Sequence, residues 1–266
     1  MITSTSNPKV KRLVNLRKKR KARDEEEVFL VEGIRMFREV PEKHLLEVYV
    51  TEGFYKKEKK LTDRLCSAAG ISPEVLSDTV FAYVSDTKTP QGVMCVVRQK
   101  NKMDEKWERT IEKAQEAPLF IVLDNLQDPG NMGTIIRTAE AAGVTGILMS
   151  VDCVDVYNPK TIRSTMGSVY RMPLWYVKDI CEAVKKLKCL GIHTYAAHLE
   201  GKGSYDEPDY REGTAFLIGN EGNGLRREVA ELAEQYIRIP MKGQVESLNA
   251  AIAATILMFE AGRQRR

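Results

Sequence analysis

Three segments in the second half of the chain concentrate the side chains able to do chemistry, and each follows an apolar, strand-like run. In the first, the polar loop Asp124–Gly130 leads into Asn131, Gly133 and, six residues after Asn131, Arg137. Asn131 is placed to cap a helix and Gly133 to allow close backbone approach, which leaves a polar loop where a ligand would sit. A capped helix carrying an exposed arginine accounts for the same spacing. The second segment, Gly219-Asn220-Glu221-Gly222-Asn223-Gly224, puts three glycines into six residues after Phe216–Ile218. A tight turn of that kind bares N–H and C=O groups, as loops that hold nucleotides or nucleosides do. A plain strand-to-helix turn is the structural alternative. Its order, G-x-x-G-x-G, is not the dinucleotide fingerprint, and no G-x-x-x-x-G-K-[S/T] occurs, which removes P-loop chemistry. In the third segment Ile239-Pro240-Met241 stops an extended run, the chain loops through Gly243, and Ser247 is the expected N-cap of a last helix. Leu248 and Asn249 follow, then the small apolar face of Ala250, Ala251, Ala253 and Ala254, suited to close packing at a subunit interface or within one subunit.

The elements that must position these loops read as alternating strands and helices. A continuous apolar strand is expected at Leu119–Leu123, and further strands at Ile147–Ser150, Thr194–Ala197, Ala215–Ile218 and Tyr236–Ile239. Helices are expected between them, at about residues 131–142, 159–168, 180–190 and 225–234, with a final one over 247–262. Strands alternating with helices predict an α/β fold with a parallel sheet, and the unbroken apolar run at Leu119–Leu123 is the signature of a sheet covered on both faces. Ligands bind such sheets at the carboxyl ends of the strands, where the three segments lie. The first half predicts a smaller α/β domain, with strands at Val28–Val31, Leu46–Thr51 and Val93–Val97 and helices at Gly33–Val40 and Lys59–Ala69. The expected organisation is a basic arm over 1–24, a small domain over 25–99, a charged linker with a helical middle over 100–117, and a large domain over 118–266.

Composition narrows the function classes. With 266 residues, 43% hydrophobic and 29% charged, the chain has the make-up of a soluble globular protein. No apolar run approaches the ~20 residues of a membrane helix, and no secretory signal opens the chain. The five cysteines lack a C-x-x-C pair and read as reduced thiols of a cytosolic protein. The three histidines lack zinc-binding spacing, so a metal-dependent mechanism has little support. A nicotinamide oxidoreductase lacks both its glycine fingerprint and the acidic residue ~20 positions later. The net charge of +4 hides nine Lys/Arg and no acid within residues 1–23, which leaves the rest of the chain at −5. Such an arm suits a polyanionic partner, bound by counterion release, although a solvated helical or frayed terminus would look the same.

Together the three segments resemble the signature motifs of the SpoU (TrmH-type) branch of the SPOUT RNA methyltransferases. The match is N-x-G-x-x-x-R at Asn131–Arg137, G-N-E-G-x-G-L at Gly219–Leu225 and I-P-M…S-L-N at Ile239–Asn249, in the family's order, and it covers roughly residues 118–262. Phe29-Leu-Val-Glu32-Gly33 and Ser85–Val93 resemble, less specifically, the small ribosomal-protein-like substrate-binding domain of such enzymes. The resemblance implies a parallel-sheet catalytic domain with a deep trefoil knot and a homodimer in the cytoplasm, with neither membrane nor metal. It implies S-adenosylmethionine as cofactor and a ribose 2′-hydroxyl of RNA as methyl acceptor. Ribosomal RNA is favoured over transfer RNA because of the accessory domain; an RNA binder without catalysis is the competing class. Carried over by motif, Gly219, Asn220, Gly222, Ile239, Pro240, Met241 and Leu248 are the cofactor-contact candidates, with Ala197, His198 and Leu199 as a further wall. Arg137 is the implied catalytic residue, either as a base or, preferably, as a phosphate ligand that lowers the hydroxyl's pKa, since guanidinium stays protonated. Asn131, Glu221, Ser247 and Asn249 would complete the site, Glu221 either by contacting substrate or by stiffening the glycine loop.

Overall fold

A computed structural model describes residues 1–100 and 107–266. The chain forms two compact units, Met1–Asn101 with Asp155–Tyr170, and Lys102–Val154 with Arg171–Arg266. Of the sequence-drawn linker over 100–117, residues 101–106 lie outside the described residues.

The first unit opens with the basic segment, folded into helices α1 (Pro8–Lys18) and α2 (Arg20–Glu26). Asn7 accepts a hydrogen bond from the Lys9 amide and Pro8 occupies the first turn, so α1 is started by local sequence. Val10, Leu13 and Leu16, at helical spacing, are completely buried. The cations are largely committed to the protein itself. Lys9 pairs with Glu74, Arg12 with Glu26 and Glu47, and Arg17 donates to the carbonyls of Tyr83 and Ser85. Arg23 is buried and holds Asp155 at 2.5 Å. The segment read as a basic arm is therefore helical, the alternative its charge left open, and an apolar stripe hidden among the lysines and arginines docks it.

Behind them β1 (Val28–Glu32), α3 (Ile34–Arg38), β2 (Leu45–Thr51), α4 (Glu52–Lys57), α5 (Lys59–Ala69), β3 (Glu74–Leu76), α6 (Asp78–Val84) and β4 (Val93–Arg98) build a four-stranded sheet in the order β1-β4-β2-β3. Its β4 is antiparallel to both β1 and β2, while β3 runs parallel to β2. Residues 155–170, a part of the second half by sequence, add helix Pro159–Thr165 (α9 in chain order) to this unit, with Tyr157 stacked on Phe29 at 4.6 Å.

The second unit runs α7 (Arg109–Lys113), β5 (Leu119–Leu123), α8 (Pro129–Ala141), β6 (Gly146–Ser150), β7 (Leu174–Val177), α10 (Ile180–Cys189), β8 (His193–Ala197), β9 (Gly203–Ser204), β10 (Thr214–Ile218), α11 (Arg227–Ala230), β11 (Gln235–Arg238) and α12 (Ala250–Gln264). Its seven strands lie in the order β7-β6-β5-β10-β8-β11-β9, and all the pairings are parallel. β5, β6 and β10 are buried along their whole length, as continuous apolar runs covered on both faces require. One face packs Phe120, Leu148, Trp175, Val184, Leu187 and Leu217 into a common core.

Several boundaries differ from the sequence expectation. The helix expected over 225–234 is a single turn, Arg227–Ala230. The α8 cap is Asp128, whose carboxylate accepts from the Asn131 amide at 2.8 Å, so Asn131 sits inside the first turn with its side chain released for other contacts. The α12 cap is Asn249 rather than Ser247: its Oδ1 accepts from the Ala251 amide at 2.9 Å and the Ile252 amide at 3.3 Å. An Asx side chain directly before the alanine run competes successfully with a serine two residues earlier.

Candidate active site

The carboxyl ends of β8, β10 and β11, neighbours in the sheet, open into one cavity of about 380 Å³. Its wall comes from Ala197–Glu200 after β8, Ile218–Leu225 after β10, and Ile237, Arg238, Ile239 and Met241 from β11 onward. Ser247, Leu248, Ala250, Ala253 and Leu257 close it from the start of α12. A cleft of this size, with a mostly apolar lining and a few polar groups, suits one small organic ligand.

The glycine loop is shaped by its own backbone. Asn220 and Gly224 exchange two backbone hydrogen bonds of 2.9 Å, and the Asn220 side chain accepts from the amides of Gly222 and Asn223. A Cβ at Gly219 would lie 2.1 Å from the Gly224 carbonyl carbon and from the Leu225 nitrogen, so no larger residue fits that turn. Gly224 has φ +68°, the left-handed region that closes the loop.

Two polar systems tie this loop to the end of β5. The first had no signature in the sequence. Asp124, completely buried at the end of β5, accepts from the Arg226 amide at 3.0 Å and from its Nε at 2.9 Å. Arg226 thus clamps the residue after the loop, and a charge left alone there would be costly. The second joins the three segments. Asn249 Nδ2 donates to Asn131 Oδ1 at 2.9 Å, Asn131 Nδ2 donates to Glu221 at 3.0 Å, and Glu221 also accepts from the amides of Gln127 and Asp128. Partial burial works against ionised Glu221, but the bonds from Asn131, Asp128 and Gln127 outweigh it and hold the carboxyl below its ordinary 4.5.

That direction gives a pH expectation. A carboxyl depressed in the folded state stabilises it above the ordinary value and loses that contribution as pH falls through the folded value. The 125–131 loop should therefore stay protected from hydrogen exchange at pH 5 and lose protection below 4.5. Glu221→Gln should remove that pH dependence; an unchanged acid profile in the variant would show that Glu221 does not hold the loop.

The predicted residues are distributed unevenly. Ala197, His198, Leu199, Gly219, Asn220, Gly222, Ile239, Met241 and Leu248 line the cavity, with Glu221 and Ser247, while Pro240 does not. Asn131 stands one hydrogen bond behind it, at Glu221, and Asn249 one further, at Asn131. Arg137, exposed on α8, makes no hydrogen bond or ion pair among the described residues. Glu200, in the further wall the resemblance implies, also lines the cavity, as do Arg238 and Glu246, which sequence reasoning missed because isolated charges in loops carry no spacing signal.

A parallel α/β unit with a pocket of three loops at its strand ends defines a small-ligand-binding class, and comparison with known proteins makes the class specific. The SpoU rRNA Methylase family matches residues 118–259, and the MRM3-like substrate binding domain matches residues 7–95. The chain belongs to the SpoU rRNA methylase family. It is 36% identical to an uncharacterized tRNA/rRNA methyltransferase of Synechocystis sp., over 99% of this chain and 94% of that protein. It is 33% identical to the 23S rRNA (guanosine(2553)-2′-O)-methyltransferase RlmP of Bacillus subtilis, over 97% of each chain. The AdoMet-bound rRNA methyltransferase of Sinorhizobium meliloti superposes with a TM-score of 0.84 at 30% identity, over 98% of this chain and 97% of that one.

Proposed function

We propose that this protein is an S-adenosylmethionine-dependent methyltransferase that modifies a ribose 2′-hydroxyl of ribosomal RNA. The observation that carries the reading is the cavity with its hydrogen-bond chain: the second and third family segments line it, and Asn131 of the first is tied to them through Glu221 and Asn249. The residues fit the cofactor. Leu199, Ile218, Ile239, Leu248 and Leu257 offer apolar surface for an adenosine, and the 219–225 turn offers backbone groups to its polar edge. When bound, S-adenosylmethionine supplies a methyl group already activated by its sulfonium.

What remains for the chain is alignment of the acceptor and loss of its proton. Arg137, without an internal partner among the described residues, serves as the ligand of a substrate phosphate next to the reacting hydroxyl, whose pKa its charge lowers. Asn131, oriented by Asn249 and Glu221, faces the acceptor side, and Ser247 contributes a hydroxyl at the cavity wall. Glu221 spends its carboxylate on the loops, which favours the stiffening role over substrate contact.

The knot, the homodimer and the cytoplasmic setting belong to the same proposal. For the knot, the support is that α12, which follows β11 near one edge of the sheet, returns to α8 and the central β10. For the homodimer, it is that Ile252 and Phe259, two turns apart on α12, are 49% and 44% exposed. Among the described residues no helix is long and apolar enough to cross a membrane.

The deciding experiment is transfer of radiolabelled methyl from S-adenosylmethionine to separate ribosomal and transfer RNA fractions, followed by nuclease digestion. Label in a 2′-O-methyl nucleoside of the ribosomal fraction is expected. Label confined to transfer RNA would overturn the substrate class, and label in a base would overturn the reaction.

A further inference from the structure

The cavity carries three charged side chains that the fold does not use. Glu200 follows β8, Arg238 ends β11, and Glu246 precedes α12; all three line the same space. None of their side chains makes a hydrogen bond or ion pair among the described residues. The fourth charged residue of the lining, Glu221, is by contrast held by the 125–131 loop. The cavity thus presents two uncommitted carboxylates and one uncommitted guanidinium, the mirror of a ligand with two positive charges and one carboxylate.

S-Adenosylmethionine has that pattern, an ammonium, a sulfonium and a carboxylate, whereas the demethylated product, S-adenosylhomocysteine, lacks the sulfonium. We propose that Glu200 and Glu246 form an electrostatic filter that favours the charged cofactor over its neutral-sulfur product, while Arg238 takes the carboxylate that both share. This rests on the cofactor reading above. It adds a discrimination step: loss of the sulfonium charge on methyl transfer removes part of the attraction and helps the spent molecule leave. The apolar wall cannot supply this, since the two ligands differ by one methyl group and one charge.

The test is calorimetric affinity of the full-length protein for each of the two ligands, at low and high salt. In Glu200→Gln/Glu246→Gln, affinity for S-adenosylmethionine should fall ~10-fold and the preference over S-adenosylhomocysteine by at least ~3-fold, with both effects shrinking at high salt. Arg238→Gln should weaken both ligands alike and leave their ratio unchanged. Circular dichroism and thermal melting verify that these near-isosteric surface variants remain folded. An unaltered ratio in the glutamate double variant, or an altered ratio in the Arg238 variant, would overturn the filter while leaving the cofactor reading intact. A wild-type protein that bound neither ligand would overturn both.

Discussion

Replacing Arg137 with alanine should reduce methyl transfer ~10²–10⁴-fold while the affinity for S-adenosylmethionine stays within about threefold of wild type. The separation follows from where the side chain stands. Arg137 is exposed on α8, contributes nothing to the cavity wall and has no internal partner among the described residues. Its removal should cost the fold no more than the ~0.5 kcal/mol of an ordinary surface substitution. Arg137→Lys separates the two chemical roles. A lysine keeps a cation for phosphate and should retain a measurable part of the activity at neutral pH. If Arg137 instead accepted the proton, the lysine variant would be as inactive as alanine near pH 7 and would recover as pH rises toward lysine's own range. Single-turnover methyl transfer measured beside calorimetric cofactor affinity reads both quantities. Joint collapse of binding and activity in Arg137→Ala would assign the residue to the structure of the site.

Gly219→Ala should all but abolish cofactor binding, by ~100-fold or more, with a lower melting temperature. The added methyl would meet backbone atoms 2.1 Å away, and those atoms cannot move aside. The paired Asn220–Gly224 hydrogen bonds, the Asn220 side chain and the Arg226–Asp124 clamp fix both ends of the turn. Overpacking of this kind costs ~1–3 kcal/mol when the surroundings can relax, and a ~100-fold loss of affinity is about 2.7 kcal/mol. Gly222, in the same loop, is the internal control. Its added Cβ would have as nearest neighbour only the Asn220 Oδ1 at 3.5 Å, an ordinary contact, so Gly222→Ala should bind within about threefold of wild type. Equal losses in both variants would mean that the loop recognises its ligand by small size in general and not by the closure at Gly219.

The parts of this protein legible in its sequence were those with a repeating physical cause. β5, β6 and β10 were visible because strands buried on both faces are mostly apolar, and their predicted bounds, like those of the more polar β8, lie within a residue of the observed ones. Leu174–Val177 escaped notice because a short edge strand with a half-exposed end resembles any four apolar residues. The docking of α1 was hidden by its charges: the same lysines and arginines that suggested an arm cover a buried stripe of Val10, Leu13 and Leu16. Within the site, glycine spacing marked the cavity wall. The Asp124–Arg226 clamp was invisible, since its two members are far apart in the chain and neither belongs to a pattern. The caps were misplaced for a related reason: Asp128, Asn131, Ser247 and Asn249 are all competent, and only the folded loop decides which carboxylate or amide meets the free N–H groups.

The position of β10 also bears on how the chain reaches its native state. This strand lies between β5 and β8, with Phe216 opposite Ile121 on one side and Tyr195 on the other. β5 must therefore wait, through the synthesis of nearly a hundred further residues, for the neighbour that completes its hydrogen bonds. Until then β5 and β8 are open, apolar edges of the kind that pair with other chains. Non-local pairing of this sort slows folding toward the millisecond-to-second range, and the nascent second unit should depend on chaperones until the residues that build the pocket have left the ribosome.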